Sequence, residues 1–274
     1  MQVIEKVISM KKYADDQRKR DKTIGFVSTL GYLDGSHIAM IERSKRENDV
    51  TIISVFVNIA QFQSSEEYKK YPRDFERDYK LSEEAGADVM FFPEVFDIYN
   101  ADSCVYVDIE GSLAGTRSRG IATALAKMLN IIQPNRLYLT QKNFREAAVA
   151  QQMISDLYMD VILIACPIKR EPDGLATSYK NELLSPAERE QAPMLNMALE
   201  YARMELEHGE RNAAHLKRLI TTYLSDATLG KVDYVSITAY DCYKETVQIK
   251  GRTVIEIGVQ FPSALLEDNL IVNV

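Results

Sequence analysis

The chain has 274 residues, of which 46% are hydrophobic and 27% charged, with a formal net charge of −7. Such a chain can bury one large or two modest cores. The acidic balance argues against a nucleic-acid binder, which would carry a basic face, and no run approaches the roughly 20 apolar residues of a membrane span.

In chain order, "MKKYADDQRKRDK" (10–22) reads as a solvated amphipathic helix, because acids interrupt its basic residues. Short runs rich in Val, Ile and aromatics predict strands at 23–28, 51–57, 88–92, 104–107, 136–140 and 160–166. Between the later strands, Ile121, Leu125, Met128, Leu129 and Ile132 share one helical face, as do Ala147, Ala150, Ile154, Leu157 and Tyr158. Continuously apolar strands alternating with helices are the pattern of a parallel sheet covered on both faces. After "EPDG", a turn signal, two polar-rich helices at about 186–207 and 210–226 lead into alternating strands at 232–238, 246–249 and 253–259. The expected fold is therefore α/β, with a Rossmann-like domain over 1–172 and a smaller C-terminal α+β domain over 173–274, hinged near Asp173. Cys104, Cys166 and Cys242 are too scattered for a disulfide framework or a zinc site, and with three histidines a polyhistidine metal centre is not expected. The N-terminus lacks an apolar signal-peptide core, so a cytoplasmic location is expected.

The chemistry-bearing stretches begin with "STLGYLDGSH" (28–37). A buried strand runs into a turn with Gly31 and Gly35, and a histidine stands where a helix should start. This segment, together with "SVFVNIAQF", "YPRDFERD", "GIATALAKMLNIIQPNRLYLTQKNF", "REPDGLATSYKNELLS" and "LLEDN", resembles the pantothenate synthetase (pantoate–β-alanine ligase) family of the nucleotidylyltransferase superfamily. The motifs occur in order over almost the whole chain.

The resemblance implies a site with ATP and Mg²⁺ on one side and a small carboxylic acid on the other. The family's H-x-G-H reads Asp34-Gly35-Ser36-His37 here, so His37 keeps its place and Asp34 replaces the first histidine. A carboxylate beside a triphosphate is repulsive unless a cation lies between them, while an aspartate just before a helix is also an ordinary N-cap. Thr29, Gly31, Asp34, Gly35 and Asn143 fall on the nucleotide side, with Lys142 in the position that meets the phosphates. "GLATSYKN" matches the family's counterpart of the K-M-S-K-S loop, giving Ser178 and Lys180 to the phosphates as a hydroxyl and a cation.

On the acid side, "VNIAQF" places Asn58 and Gln61, and Arg117 and Arg119 remain in a shortened loop that has lost the family's histidine. Glu146 stands where the family has a second glutamine; an ionised carboxylate there would repel an acid substrate and suit a donor or a cation. Asp78 is the candidate magnesium carboxylate, and Arg77 occupies the position of a neighbouring acid found in some members. The resemblance implies an ATP-dependent amide-forming (C–N) ligase that uses an acyl-adenylate, releases AMP and pyrophosphate, and pairs as a homodimer through its first domain. The departures point to an altered acid or amine; the alternative is a catalytically impaired homologue acting as a binding or scaffold protein.

Overall fold

The computed structural model describes residues 1–62, 64–226, 228–241 and 243–274, so Cys242 lies outside the described residues. Of the other cysteines, Cys104 is exposed, Cys166 is buried and both are free thiols. The chain divides into two compact units, Met1–Pro167 and Ile168–Val274. The sequence places the division at 172/173. The intervening residues belong with the second unit because Arg170 bridges to Ala176, and Arg189 ion-pairs with both Glu171 and Asp173.

Among the described residues, the first unit is built on a six-stranded, all-parallel sheet in the order β1-β4-β3-β2-β5-β6. These strands are β1 (Gln2–Ile4), β2 (Ile24–Thr29), β3 (Val50–Val55), β4 (Val89–Phe91), β5 (Arg136–Thr140) and β6 (Ile162–Cys166). The α/β expectation holds because these runs are buried on both faces. β3 is buried at every residue, and Val27, Ile53, Met90 and Tyr138 pack against Met40 and Ile41 of α2 (Gly35–Glu47). Gly25 is required by that same face, since a Cβ there would stand 2.2 Å from Ser44 Oγ of α2. The short helices α3 (Ser65–Lys70) and α5 (Val95–Ile98) flank α4 (Phe75–Glu84), which packs with α2, while α6 (Thr116–Ile132) packs with both α1 (Val7–Arg18) and α7 (Phe144–Asp156). From β2 the chain steps to β3 on one side, and from β5 to β6 on the other. Right-handed crossovers in opposite directions put α2 and α7 on opposite faces and leave a switch point between β2 and β5.

Two strand expectations are corrected. Residues 104–107 form no strand: Val105 is 76% exposed, and the Val107 N–H donates to Thr123 Oγ1 of α6 instead of to a neighbouring strand. Residues 246–249 form no strand: within them only Gln248 makes an isolated bridge, to Asn212, and the other bridge nearby, Thr238 to Glu245, lies just before them.

The second unit carries an antiparallel sheet, β7 (Lys231–Ala239), β8 (Arg252–Gln260) and β9 (Leu265–Asn273), with β8 central. Its core joins Leu195, Leu199 and Leu206 of α9 (Met194–Glu207) and Leu216 and Ile220 of α10 (Ala213–Leu224) to Ile255, Ile257 and Val259 of β8. The single helix expected over 186–207 is two, because α8 (Pro186–Gln191) ends just before Pro193, whose ring cannot continue an existing helix.

Candidate functional site

The switch point gathers the two motif-bearing turns. β2 ends at Thr29 and leads into the N-terminus of α2; β5 ends at Thr140 and leads into the N-terminus of α7. In open parallel sheets, ligands bind outside the carboxyl ends of the strands at such a point, and helix N-termini there favour anions.

The first turn is held from below. Thr29 Oγ1 donates to Ser54 O at 2.7 Å and accepts the Gly31 N–H at 3.1 Å. Gly31 has φ +83°, and a Cβ would lie 2.9 Å from Asp78 Oδ2. Only glycine adopts that backbone without strain. Asp78 is 1% exposed, and its two oxygens accept the Tyr32 N–H at 2.7 Å and the Leu33 N–H at 2.8 Å. Burial pushes its carboxyl above the usual range despite those amides, Arg77 and His37. This clamp is a role that sequence reasoning did not assign to Asp78, because the partners are backbone groups far away in the chain.

Asp34 is the N-cap of α2. Its Oδ1 accepts the Ser36 N–H at 2.9 Å and the His37 N–H at 3.4 Å, and the His37 ring answers the Asp34 amide in a reciprocal capping box. The cap and the nucleotide-side placement are therefore compatible. Burial pushes the Asp34 carboxyl up, but His37, Lys142 and the Ser36 amide outweigh it and hold it below the usual value. Gly35, the first helical residue, is exposed.

Across the switch point, the charge of Lys142 on the second turn acts on Asp34, and that of His37 acts on Glu146. The Lys142 N–H donates to Thr140 Oγ1 at 3.1 Å, which sets the turn between β5 and α7. Glu146 lies in the first turn of α7, where the helix dipole favours an acid. Burial nevertheless raises its carboxyl, outweighing the Asn143 hydrogen bond and the charges of Arg117 and His37. Among carboxyls, then, His37 acts on Asp34, Asp78 and Glu146 together.

The remaining acid-side residues are split. Asn58 is 2% exposed and its amide is spent on the fold: Oδ1 accepts the Ala60 N–H, and Nδ2 donates to Tyr99 Oη and Gly120 O. Gln61 sits half-buried at the end of that turn, its N–H on Asn58 O at 3.0 Å. Arg117 lies near Glu146, whereas the Arg119 guanidinium stacks over the Tyr106 ring at 4.4 Å. Arg145, not singled out in the sequence, donates to Ser118 Oγ at 3.2 Å and ties α7 to the start of α6.

Ser178 and Lys180 belong to the second unit. Ser178 Oγ accepts the Lys180 N–H at 3.3 Å and so caps the single-turn helix Tyr179–Leu183. No group of three or more His, Cys, Asp and Glu able to hold a metal occurs among the described residues. That donor set makes no cage for a resident ion, but it fits a Mg²⁺ carried mainly by phosphates, which needs only one or two carboxylates. No described helix is long and apolar enough to cross a membrane.

A family model for pantoate-beta-alanine ligase matches residues 2–271. The pantothenate synthetase of Thermotoga petrophila is 40% identical over 278 residues, covering 99% of this chain and 99% of that protein. The crystal structure of pantothenate synthetase from Thermus thermophilus matches with a TM-score of 0.90 at 33% identity, over 98% of this chain and 99% of that one. The pantoate-beta-alanine ligase of Francisella tularensis, complexed with beta-gamma ATP and beta-alanine, matches with a TM-score of 0.79 at 26% identity, over 99% and 97%.

Proposed function

Because this chain belongs to the pantoate–β-alanine ligase family, we propose that it is an ATP-dependent carboxylate–amine ligase with an acid or amine altered from the family's. The observation that supports this reading is the convergence of the two motif-bearing turns, with His37 at the start of α2 and Lys142 and Glu146 at the start of α7, at the switch point of the parallel sheet.

ATP supplies the adenylyl group that makes an acid's oxygen a good leaving group. The acid's carboxylate oxygen bonds to the α-phosphorus as the bond to the β-phosphate breaks, and pyrophosphate departs. The amine nitrogen then bonds to the acyl carbon, AMP leaves with the electron pair of the C–O bond, and the ammonium proton passes to solvent. The protein's share is orientation and charge stabilisation, with no covalent nucleophile. Lys142, His37, Ser178 and Lys180 are assigned to the phosphates, and Thr29, Gly31, Gly35 and Asn143 to the rest of the nucleotide. Mg²⁺ arrives with the phosphates; Asp78, expected from the sequence to be its carboxylate, instead holds the turn from beneath, because both of its buried oxygens are taken by the Tyr32 and Leu33 amides. Gln61, Arg117, Arg119 and the Asn58 turn are assigned to the acid, with Glu146 in the selecting position. As a neutral carboxyl, Glu146 can donate a hydrogen bond to an acid; ionised, it repels one. The C-terminal unit serves as the lid, and the chain works as a cytoplasmic homodimer.

The test is AMP release from Mg·ATP across a panel of acid–amine pairs that includes pantoate with β-alanine. The reading expects AMP formation that needs both substrates and is lost in Lys142→Ala. It also expects Asp34→His with Glu146→Gln to gain pantoate-dependent turnover. If the double variant gains none, these positions do not set substrate choice. If no pair yields AMP and calorimetry finds no Mg·ATP binding, the scaffold reading replaces it; that reading is favoured by Asp34, a carboxylate held ionised on the nucleotide side by His37 and Lys142.

A further inference from the structure

Lys180 enters the proposed function as a cation for phosphates, yet inside its own unit its ammonium is already engaged. Nζ donates to Leu265 O at 2.9 Å and lies 3.4 Å from Glu267 Oε2. The other oxygen of that carboxylate, Oε1, accepts from the Tyr234 hydroxyl at 3.1 Å. Tyr234 and Glu267 sit on the two outer strands of the sheet, with β8 between them. In register, Tyr234 pairs with Gly258, and Gly258 with Glu267. A Cβ on Gly258 would stand 2.4 Å from Tyr234 Cε1, so the bare glycine is what lets the ring lie across β8 and reach the carboxylate on β9. Burial and the charges of Glu267 and Glu256 push the Tyr234 phenol far above its usual value, which keeps it a neutral donor. The ion pair itself is half in water, with side chains 27% and 39% exposed. Pairs in that setting are weak and exchangeable.

The geometry points to Glu267 as a positioning residue for Lys180: a carboxylate, braced by Tyr234 through the gap at Gly258, that holds the ammonium within the second unit until a polyphosphate takes it over. This rests on the assignment of Lys180 to phosphates made above. A triphosphate with its greater negative charge can displace one carboxylate, but it must first overcome the existing pair. In Glu267→Gln the side chain keeps its length and an acceptor for Tyr234, and loses only the competing charge.

The experiment is calorimetric titration of Mg·ATP into the full chain as wild type, Glu267→Gln, Tyr234→Phe, Lys180→Ala and the Glu267→Gln/Lys180→Ala double variant. Glu267→Gln should bind about two- to five-fold more tightly, the range a half-exposed ion pair supports. Tyr234→Phe should shift affinity in the same direction by less, and the gain should vanish in the Lys180→Ala background. A second readout needs no nucleotide: losing the carboxylate should speed acetylation of Lys180 by acetic anhydride, read by mass spectrometry, because Glu267 no longer holds the nitrogen against β9 and away from the reagent. Unchanged acetylation in Glu267→Gln overturns the inference even if Mg·ATP binds, leaving the nucleotide reading intact. Faster acetylation with equal or weaker Mg·ATP binding also overturns it, since the pair then exists without competing. Absence of Mg·ATP binding in every variant overturns the nucleotide reading and the inference with it, whatever the acetylation shows.

Discussion

Asp34 Oδ1 stands 2.9 Å from His37 Nδ1, and the Asp34 amide nitrogen stands 3.1 Å from that same ring atom. One ring nitrogen cannot serve both. With its proton on Nδ1, His37 donates to the carboxylate; without it, Nδ1 accepts the amide N–H and the proton sits on Nε2. The negative charge at Asp34 favours the first arrangement. Asp34→Asn keeps an N-cap oxygen but removes the charge, so the neutral ring should shift toward the Nε2–H tautomer. Nitrogen-15 shifts of the His37 ring in the two proteins measure this, and identical tautomer populations would show that the carboxylate does not select the ring's state.

The cap has a cost of its own when it is lost. Asp34→Ala leaves the Ser36 and His37 amides without the side-chain oxygen they now share. Removal of an N-cap of this type costs about 1 kcal/mol, while serine retains most of the effect. Urea unfolding should therefore rank wild type and Asp34→Ser close together and Asp34→Ala below both. An alanine variant as stable as wild type would mean that the cap contributes nothing.

Glu146 carries a pH dependence with a definite sign. Its carboxyl is raised above the ordinary 4.5 by burial, against the weaker opposing influences of Asn143, Arg117 and His37. A raised carboxyl binds its proton more tightly in the folded state than in the unfolded one. Its contribution to stability is therefore complete below the unfolded value and is lost as pH rises through the folded one. Glu146→Gln cannot lose that proton. The stability of the variant relative to wild type should climb across that window and then level off, as read by urea unfolding at stepped pH. In the same window the acid substrate's KM should rise in wild type and stay flat in the variant. A stability difference independent of pH would show that Glu146 titrates normally.

What could be read from the sequence, and what could not, follows from range. The parallel strands declare themselves because each is a continuous apolar run buried on both faces, as in "TIISVFV". β9 stays hidden because Glu267, Asp268 and Asn269 interrupt it, and their partners lie elsewhere: Arg170 for Asp268, and Lys180 and Tyr234 for Glu267. The opposite error occurs at Val105 and Tyr106, an apolar pair that stays exposed and forms no strand. In the site, the motif order singles out His37, Lys142 and Glu146, and the fold sets them on the two turns at one switch point. It gave no means of seeing that Asp78 spends both oxygens on backbone amides or that Asn58 is consumed by Tyr99 and Gly120. Those facts are contacts across 40 residues or more, and local pattern does not carry them.

Gly120 illustrates such a contact. On α6 it faces the turn after Asn58, and a Cβ would stand 2.3 Å from Ala60 O. That neighbour is backbone, so it cannot turn aside. Gly120→Ala gains helix propensity of about 1 kcal/mol and loses about 1–3 kcal/mol to overpacking. Net destabilisation is expected in urea, together with a larger KM for the acid because the turn carrying Gln61 is displaced. Stabilisation by alanine would mean that the turn yields freely and does not position Gln61.

The most costly single change is expected at the ion pair between Arg170 and Asp268. The guanidinium meets the carboxylate at two points, Nη1 to Oδ2 at 2.6 Å and Nη2 to Oδ1 at 3.1 Å, and the Asp268 side chain is 1% exposed. Arg170 also donates to Gly174 O at 3.0 Å, so it fastens the 170–176 turn to β9. Arg170→Met strands a buried carboxylate with no counter-charge, a loss of about 3–5 kcal/mol, whereas removing both charges avoids most of that penalty. Arg170→Met with Asp268→Leu should therefore be more stable than Arg170→Met alone when the full chain is unfolded in urea. If the double variant is the less stable of the two, the pair is not acting through the burial of an unmatched charge, and its value must lie in the packing of the two side chains.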